Sequence, residues 1–541
     1  MPDTPAPDTA PPTPPQDGGA LPEIVQGGMG VAISQWPLAR AVARAGGLGT
    51  VSGTAIGVVV ARRLQDGDAG GHLRRALAAL PVPGVGERVL ERYFVEGGKP
   101  SGRPYKSVPT WTLSPPRPLL ELTVAASFAE VHLAAEGHEG PIAVNLLHEV
   151  RLPTPASLYG AMLAGVDVVA MGAGIPRDIP AMLDRLRDHE PVDMTVKVAD
   201  ERNADDAVHR FDPRALWTDP GSGNAVEPST LRRPRFLAIV SSTTLALALA
   251  RDPLTRPDGL VVEAPTAGGH NAPPRGRLRL DDAGEPIYGP KDDPDLAKIA
   301  DLGLPFWLAG GQGHPHALAD ARAVGAAGIQ VGTAFALARE SGLAEPLKHV
   351  LLEQARRGEV VVRTDAYASP TGFPFKVAEL EATMSDPAVY DRRERICDLG
   401  FLTETYRRED GGFGQRCPAE PVADYVRKGG DAADTEGRKC LCNGLLATAG
   451  LPQTRRDVPE APIVTAGDDL SDVTRFLPEG AQSYGAGDVL RMLGSPPPPR
   501  THTTTHPTAQ TTAAPRSGMA RGAIAAPTAG PTARPRLKNT L

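Results

Sequence analysis

The 541-residue chain carries 57 lysines and arginines against 64 aspartates and glutamates, a formal net charge of -7. That length allows a large core, in one big barrel with additions or in several domains, and a mild acidity without a dense basic block excludes a nucleic-acid surface. Four cysteines, all between Cys397 and Cys442, are too few and too clustered for a secreted disulfide framework and predict a reducing, cytoplasmic setting.

Residues 1–20 carry acids and prolines where a signal peptide needs basic residues and then an apolar run. Together with the Pro/Thr-rich residues 495–541 they predict disordered tails, because neither bears enough large apolar side chains to offset the entropy of ordering. The apolar segment Phe236 to Ala250 is interrupted by Ser241, Ser242, Thr243 and Thr244 and closed by Arg235 and Arg251. It is too short to cross a bilayer, so no membrane association is expected.

Between the tails, short apolar runs alternate with helix-length amphipathic segments, the pattern of parallel strands and crossover helices. Eight runs stand out: Ile24–Gln26, Gly49–Ser52, Ile142–Leu146, Val166–Met171, Phe236–Val240, Leu260–Glu263, Phe306–Ala309 and Ile329–Val331. They predict an α/β fold, a TIM (β/α)8 barrel over residues 21–340 with its site at the strand carboxyl ends. Thr195–Ala199 is a ninth candidate, and an open doubly wound sheet would show the same alternation. Glycine placement favours the barrel. Gly27 and Gly28 follow the first run, Gly310, Gly311 and Gly313 the seventh, and Gly332 with Thr333 the eighth. Loops after strands seven and eight are where barrels commonly bind phosphate, although each motif alone also reads as a tight turn.

Residues 84–118, without a clear period, read as an insertion or lid, and residues 201–234 as a second insertion. Residues 341–494 predict a smaller, mainly helical C-terminal domain. Within it, Thr364 to Leu380 combines turn residues with Phe373 and Phe375 and reads either as a ligand cover or as interface core.

The stretch from Gly259 to Gly276 reads GLVVEAPTAGGHNAPPRG. Ala267, Gly268 and Gly269 remove bulk where a buried strand ends, so a flat group can approach. His270 follows, and imidazole exchanges protons near neutral pH; a histidine satisfied by its own loop is the competing reading.

Five segments together resemble the nitronate monooxygenases, formerly 2-nitropropane dioxygenases: EIVQGGMGVAIS (Glu23–Ser34), GGLGTVSG (Gly46–Gly53), VVEAPTAGGHNAP (Val261–Pro273), LAGGQG (Leu308–Gly313) and IQVGTAF (Ile329–Phe335). The resemblance implies a TIM barrel binding FMN. It places the backbone of Gly27, Gly28 and Met29 along the flavin ring, Asn145 near the isoalloxazine, and Gly310, Gly311, Gln312, Gly332 and Thr333 at the phosphate. His270 becomes the catalytic base or hydrogen-bond partner, with Glu263, Gly268 and Gly269 lining the approach and Lys197 supplying a positive charge near the flavin.

The chain departs from that family after His270, where Asn271, Ala272, Pro273, Pro274 and Arg275 stand in place of an early glycine. Arg275 reads either as a partner for an anionic substrate or as a solvated loop residue. CLCNGL (Cys440–Leu445) is similar to a long-chain subset that resembles the FMN-dependent enoyl reductases of polyunsaturated fatty-acid and polyketide synthases. Cys397, Cys417, Cys440 and Cys442 lack a C-x-x-C knuckle and read as free thiols rather than metal ligands.

The resemblance therefore implies an FMN-dependent oxidoreductase that converts alkyl nitronates and O2 to carbonyl compounds and nitrite. The alternative is a reductase passing electrons from NAD(P)H to an enoyl thioester, in association with a synthase complex. A barrel without chemistry, serving as a scaffold, is the third reading.

Overall fold

A computed structural model of the protein describes residues 19–199, 206–218, 220, 223 and 225–496. Most of both predicted tails lies outside the described residues, as does part of the predicted insertion at 201–234.

Eight parallel strands form the central sheet. In chain order the strands of the molecule begin β1 (Ile24–Gln26), β2 (Gly49–Ser52), β3 (Ile142–Leu147), β4 (Val168–Gly172), β5 (Val192–Val196) and β6 (Ala207–Phe211). They continue with β7 (Arg235–Val240), β8 (Gly259–Glu263), β9 (Gly269–His270), β10 (Phe306–Ala309) and β11 (Gly328–Val331). The parallel order is β1-β11-β10-β8-β7-β4-β3-β2. A bridge between Val25 and Leu48 joins the two ends: Gln26 N–H donates to Leu48 O and Leu48 N–H to Ile24 O, each at 3.0 Å. With that seam the sheet is a closed TIM barrel, and each of the eight predicted runs is one of its strands.

The strands are apolar on both faces because both faces are covered. Val25, Ala143, Val168, Leu237, Val261 and Trp307 fill the barrel interior, where Trp307 N–H donates to Pro22 O at 3.0 Å. The opposite faces pack on the surrounding helices. The helix Arg117–Ala135 is by length and composition apolar enough to span a membrane, but 78% of its most apolar 18-residue stretch is buried inside the fold, as in a core helix.

The ninth candidate strand belongs elsewhere. β5 pairs antiparallel with β6, Val192 opposite Phe211 and Val196 opposite Ala207, in a hairpin outside the barrel. Its burial alternates, with Val192, Met194 and Val196 inside and Asp193 and Thr195 exposed. The segment 84–118 also holds more structure than its composition predicts. It contains the helix Val85–Tyr93, and Gln453 clasps Tyr105 by accepting from its N–H at 2.8 Å and donating to its carbonyl at 3.1 Å.

Beyond the barrel, β12 (Val362–Asp365), β13 (Phe375–Ala378), β14 (Glu404–Arg407) and β15 (Phe413–Arg416) accompany helices Glu345–Arg357, Leu441–Thr448 and Ala486–Gly494. This region does not stand apart from the barrel. β13 pairs with β9, with Phe375 opposite His270, and Tyr484 donates its hydroxyl to Ala334 O at 2.7 Å.

Candidate active site

A cavity of about 230 Å³ opens at the carboxyl ends of the barrel strands. Its walls include Gly27, Gly28, Met29, Asn145, Glu263, Gly268, Gly269, His270, Gly310, Gly311, Gln312, Gly332 and Thr333. All the site residues expected from the sequence therefore meet there except one. Lys197, just past β5, is exposed to solvent and is not among the lining residues. The hairpin that carries it lies outside the barrel, so the expectation of a positive charge near the ring fails on topology.

The first wall is the loop after β1. Gln26, fully buried, anchors it by donating to Gly27 O at 2.6 Å and Ser34 Oγ at 2.7 Å, while its Oε1 accepts from Thr50 N–H at 2.8 Å. Ser34 Oγ also accepts from Met29 N–H at 2.9 Å. Neither Gln26 nor Ser34 stood out in the sequence, because a buried amide and hydroxyl acquire roles only from the loop that closes over them. Asn145, on β3, donates to Gly28 O at 3.0 Å. The two chains are so close that a Cβ at Gly28 would stand 2.1 Å from Asn145 Cβ.

The second wall is the stretch after β8. Glu263 ends that strand facing the cavity, and burial alone pushes its carboxyl up to about 7. His270 reaches the cavity a few residues further along the chain, held in β9. Burial lowers its imidazole to about 4, so it is neutral at physiological pH. Its Nε2 lies 2.7 Å from Ser369 Oγ, and Phe375 meets the ring edge-on at 4.9 Å. At Gly268 the group that approaches is the chain's own: a Cβ there would be 2.7 Å from the Ala466 carbonyl carbon.

The third wall comes from β10 and β11. Gly310 and Gly311 have φ of 88° and 68°, and Gln312 folds back to donate to Gly310 O at 3.0 Å. Thr333 accepts from Gly467 N–H at 3.0 Å. The C-terminal region supplies the last wall, through Phe401, Leu402, Leu441 and Leu445 together with Thr465, Ala466, Gly467, Asp469 and Leu470. Thr465 Oγ1 accepts from Gly269 N–H at 2.7 Å. These residues were missed in the sequence because no motif links them to the barrel loops they touch.

Two observations bear on what the cavity can hold. Asn145 Oδ1 is buried without a hydrogen-bond partner, which costs about 1–3 kcal/mol unless a donor is supplied. Gly332 has an ordinary φ of -107°, and a Cβ there would meet nothing nearer than Met29 Sδ at 3.8 Å. Neither backbone strain nor a protein neighbour requires glycine at 332. A floor kept this low, in the same cavity as an amide oxygen awaiting a donor, fits a flat heteroaromatic ring with N–H groups.

Arg275 lines a small adjoining cavity of about 30 Å³ that shares Glu263, and it is not part of the main one. The four cysteines are free. Cys397 and Cys417 share a hydrogen bond that holds the Cys397 thiol down. Among the described residues, no three His, Cys, Asp or Glu side chains are grouped to hold a metal ion.

No family model matches the chain, and no curated protein does. Solved structures do. FabK from Thermotoga maritima aligns over 87% of this chain and 93% of its own, with 15% identity and a TM-score of 0.43. A nitroalkane oxidase from Streptomyces ansochromogenes aligns over 87% and 94%, with 18% identity and a TM-score of 0.40. The enoyl reductase domain of MlnA, from the macrolactin biosynthesis cluster of Bacillus amyloliquefaciens, aligns over 87% and 93%, with 12% identity and a TM-score of 0.42.

Proposed function

We propose that the chain is an FMN-dependent oxidoreductase whose cofactor lies in the cavity at the mouth of the barrel. The observation that carries this reading is that the bare Gly332 and the unpartnered Asn145 Oδ1 line the same cavity. Gly27, Gly28 and Met29 would flank the ring, and the loops at 310–312 and 332–333 would take the phosphate, as the sequence resemblance also implies. Bound there, the flavin supplies the electron-transfer chemistry that side chains lack.

The chain's own residues do the rest. Asn145 orients the ring through its free oxygen. His270, neutral and fixed by Ser369, offers its other ring nitrogen to a substrate as a hydrogen-bond partner. Glu263, near 7, is the group able to change protonation at working pH. Phe401, Leu402, Leu441 and Leu445 keep water from the reacting end.

The resemblance implies two substrate classes, alkyl nitronates oxidised with O2 and enoyl thioesters reduced with NAD(P)H. One observation favours the second. Among the described residues lining the cavity there is no lysine or arginine, and the titratable groups are Glu263, His270, Asp469 and Cys442. A nitronate anion would meet the Glu263 carboxyl and a neutral imidazole with no lysine or arginine in the cavity wall to pair it, whereas a neutral enoyl group with an apolar tail needs none. Association with an acyl carrier or synthase partner belongs to that same reading.

The test is the visible spectrum of the purified chain reconstituted with FMN, followed by anaerobic addition of propyl-2-nitronate or of NADPH with an enoyl thioester. Bleaching by NADPH, then recovery on adding the thioester, supports the reductase. Bleaching by the nitronate alone returns the assignment to nitronate oxidation. A chain that takes up no flavin removes both.

A further inference from the structure

The end of this cavity assigned to the phosphate already holds a carboxyl group of the chain's own. Asp469 sits in the turn of 3-10 helix that begins at Asp468, and its side chain is one of the cavity walls. Its Oδ2 would be 2.7 Å from a Cβ placed on Gly313, and its Oδ1 2.9 Å from one placed on Gly467. The carboxylate thus lies against both the glycine loop after β10 and the segment that bonds Thr333. Burial pushes its carboxyl up, while the Thr333 hydroxyl, its own amide and the Gly313 amide favour the charged form. Those are the kinds of donor a phosphate would use.

Nearby charges do not neutralise it. Lys376 is engaged at 2.6 Å by the neighbouring Asp468. His314, half-buried, lies within the fields of both Asp469 and Arg475.

We propose that Asp469 sets the affinity of the site for phosphate-bearing flavin, because its carboxylate holds the donors around Gly313 and Thr333 and must release them when a phosphate monoester binds. The inference rests on the flavin reading above. Two anions cannot share one small set of donors in a desolvated site without strong repulsion. Riboflavin has the same ring and no phosphate, so it does not compete with Asp469. The chain would then discriminate between FMN and riboflavin less than the bare loops would.

The test uses the full-length chain freed of flavin, titrated separately with FMN and riboflavin while flavin fluorescence is followed. Asp469→Asn keeps the side-chain size and removes the charge. It is expected to bind FMN at least about tenfold more tightly than the unsubstituted chain, with riboflavin affinity changed less than about twofold. Unchanged FMN affinity overturns the inference and leaves the flavin reading standing. Equal tightening of both flavins also overturns it, since the effect would not act through the phosphate. If Asp469→Asn does not fold, Asp469→Ser carries the same comparison. An unsubstituted chain that binds neither flavin overturns the flavin reading, and this inference falls with it.

Discussion

Nε2 of His270 and Oγ of Ser369 stand 2.7 Å apart although 99 residues separate them in the chain. The contact exists because β9, which ends on His270, adds to the edge of β13 and so draws the 364–380 segment over the cavity. Ser369 is itself fixed, with its Oγ 2.8 Å from Thr371 Oγ1. The histidine therefore has one nitrogen committed to the C-terminal region and faces the cavity with the rest of its ring.

Ser369→Ala removes the partner of Nε2 and leaves the imidazole free to turn and to change tautomer. Turnover is expected to fall about tenfold or more, with flavin affinity unchanged, because the ring and phosphate contacts lie elsewhere. Steady-state kinetics beside a flavin titration checks this. Full turnover in the variant would mean that Phe375 alone holds His270.

Gly332→Ala tests the low floor. The new methyl meets only Met29 Sδ at 3.8 Å, an ordinary contact, so folding stability should change by no more than about 0.5 kcal/mol. A flat ligand against that floor would collide with the methyl, and flavin affinity should drop about tenfold, as overpacking costs about 1–3 kcal/mol. Urea midpoints and flavin titration report the two quantities separately. Undiminished flavin binding would place the ring elsewhere.

The barrel was legible because its strands are apolar on both faces and its loops are marked by glycine, so all eight runs could be found from local signals. The exception is instructive. Val192, Met194 and Val196 alternate with Asp193 and Thr195, a period of two that marks a half-exposed antiparallel strand rather than a barrel strand. Reading the run as Thr195–Ala199 misses that alternation, and with it the exposed position of Lys197. The site divides in the same way. Gly332 follows from the glycine placement after the eighth strand, whereas Asn145 and Glu263 enter only through the family resemblance. Thr465 and Asp469 reach the cavity, and Ser369 its histidine, only through pairing across about 100 to 200 residues, which no local pattern encodes.

Lys197→Ala is accordingly expected to leave flavin affinity and turnover unchanged, and to alter stability by less than about 0.5 kcal/mol, as for other exposed positions. Flavin titration and kinetics on the single variant decide it. A clear loss of flavin affinity would show that the hairpin reaches the cofactor.

Glu263 and His270 should pull stability in opposite directions as pH changes. His270 falls from 6.5 to about 4 on folding, so between these values the unfolded chain binds more protons and stability declines as pH falls. Glu263 rises from 4.5 to about 7, so the folded chain binds more protons there and stability declines as pH rises. Each difference is worth about 3 kcal/mol across its window. In the parent chain the two slopes largely offset each other where the windows overlap. Glu263→Gln should leave the histidine slope, with stability lost as pH drops from about 6.5 toward 4. His270→Asn should leave the carboxyl slope, with stability lost as pH climbs from about 4.5 to 7. Every other titrating group acts alike in all three proteins, so differences between their urea midpoints across this range isolate the pair. Three parallel curves would mean that neither group is desolvated as its place in the cavity requires.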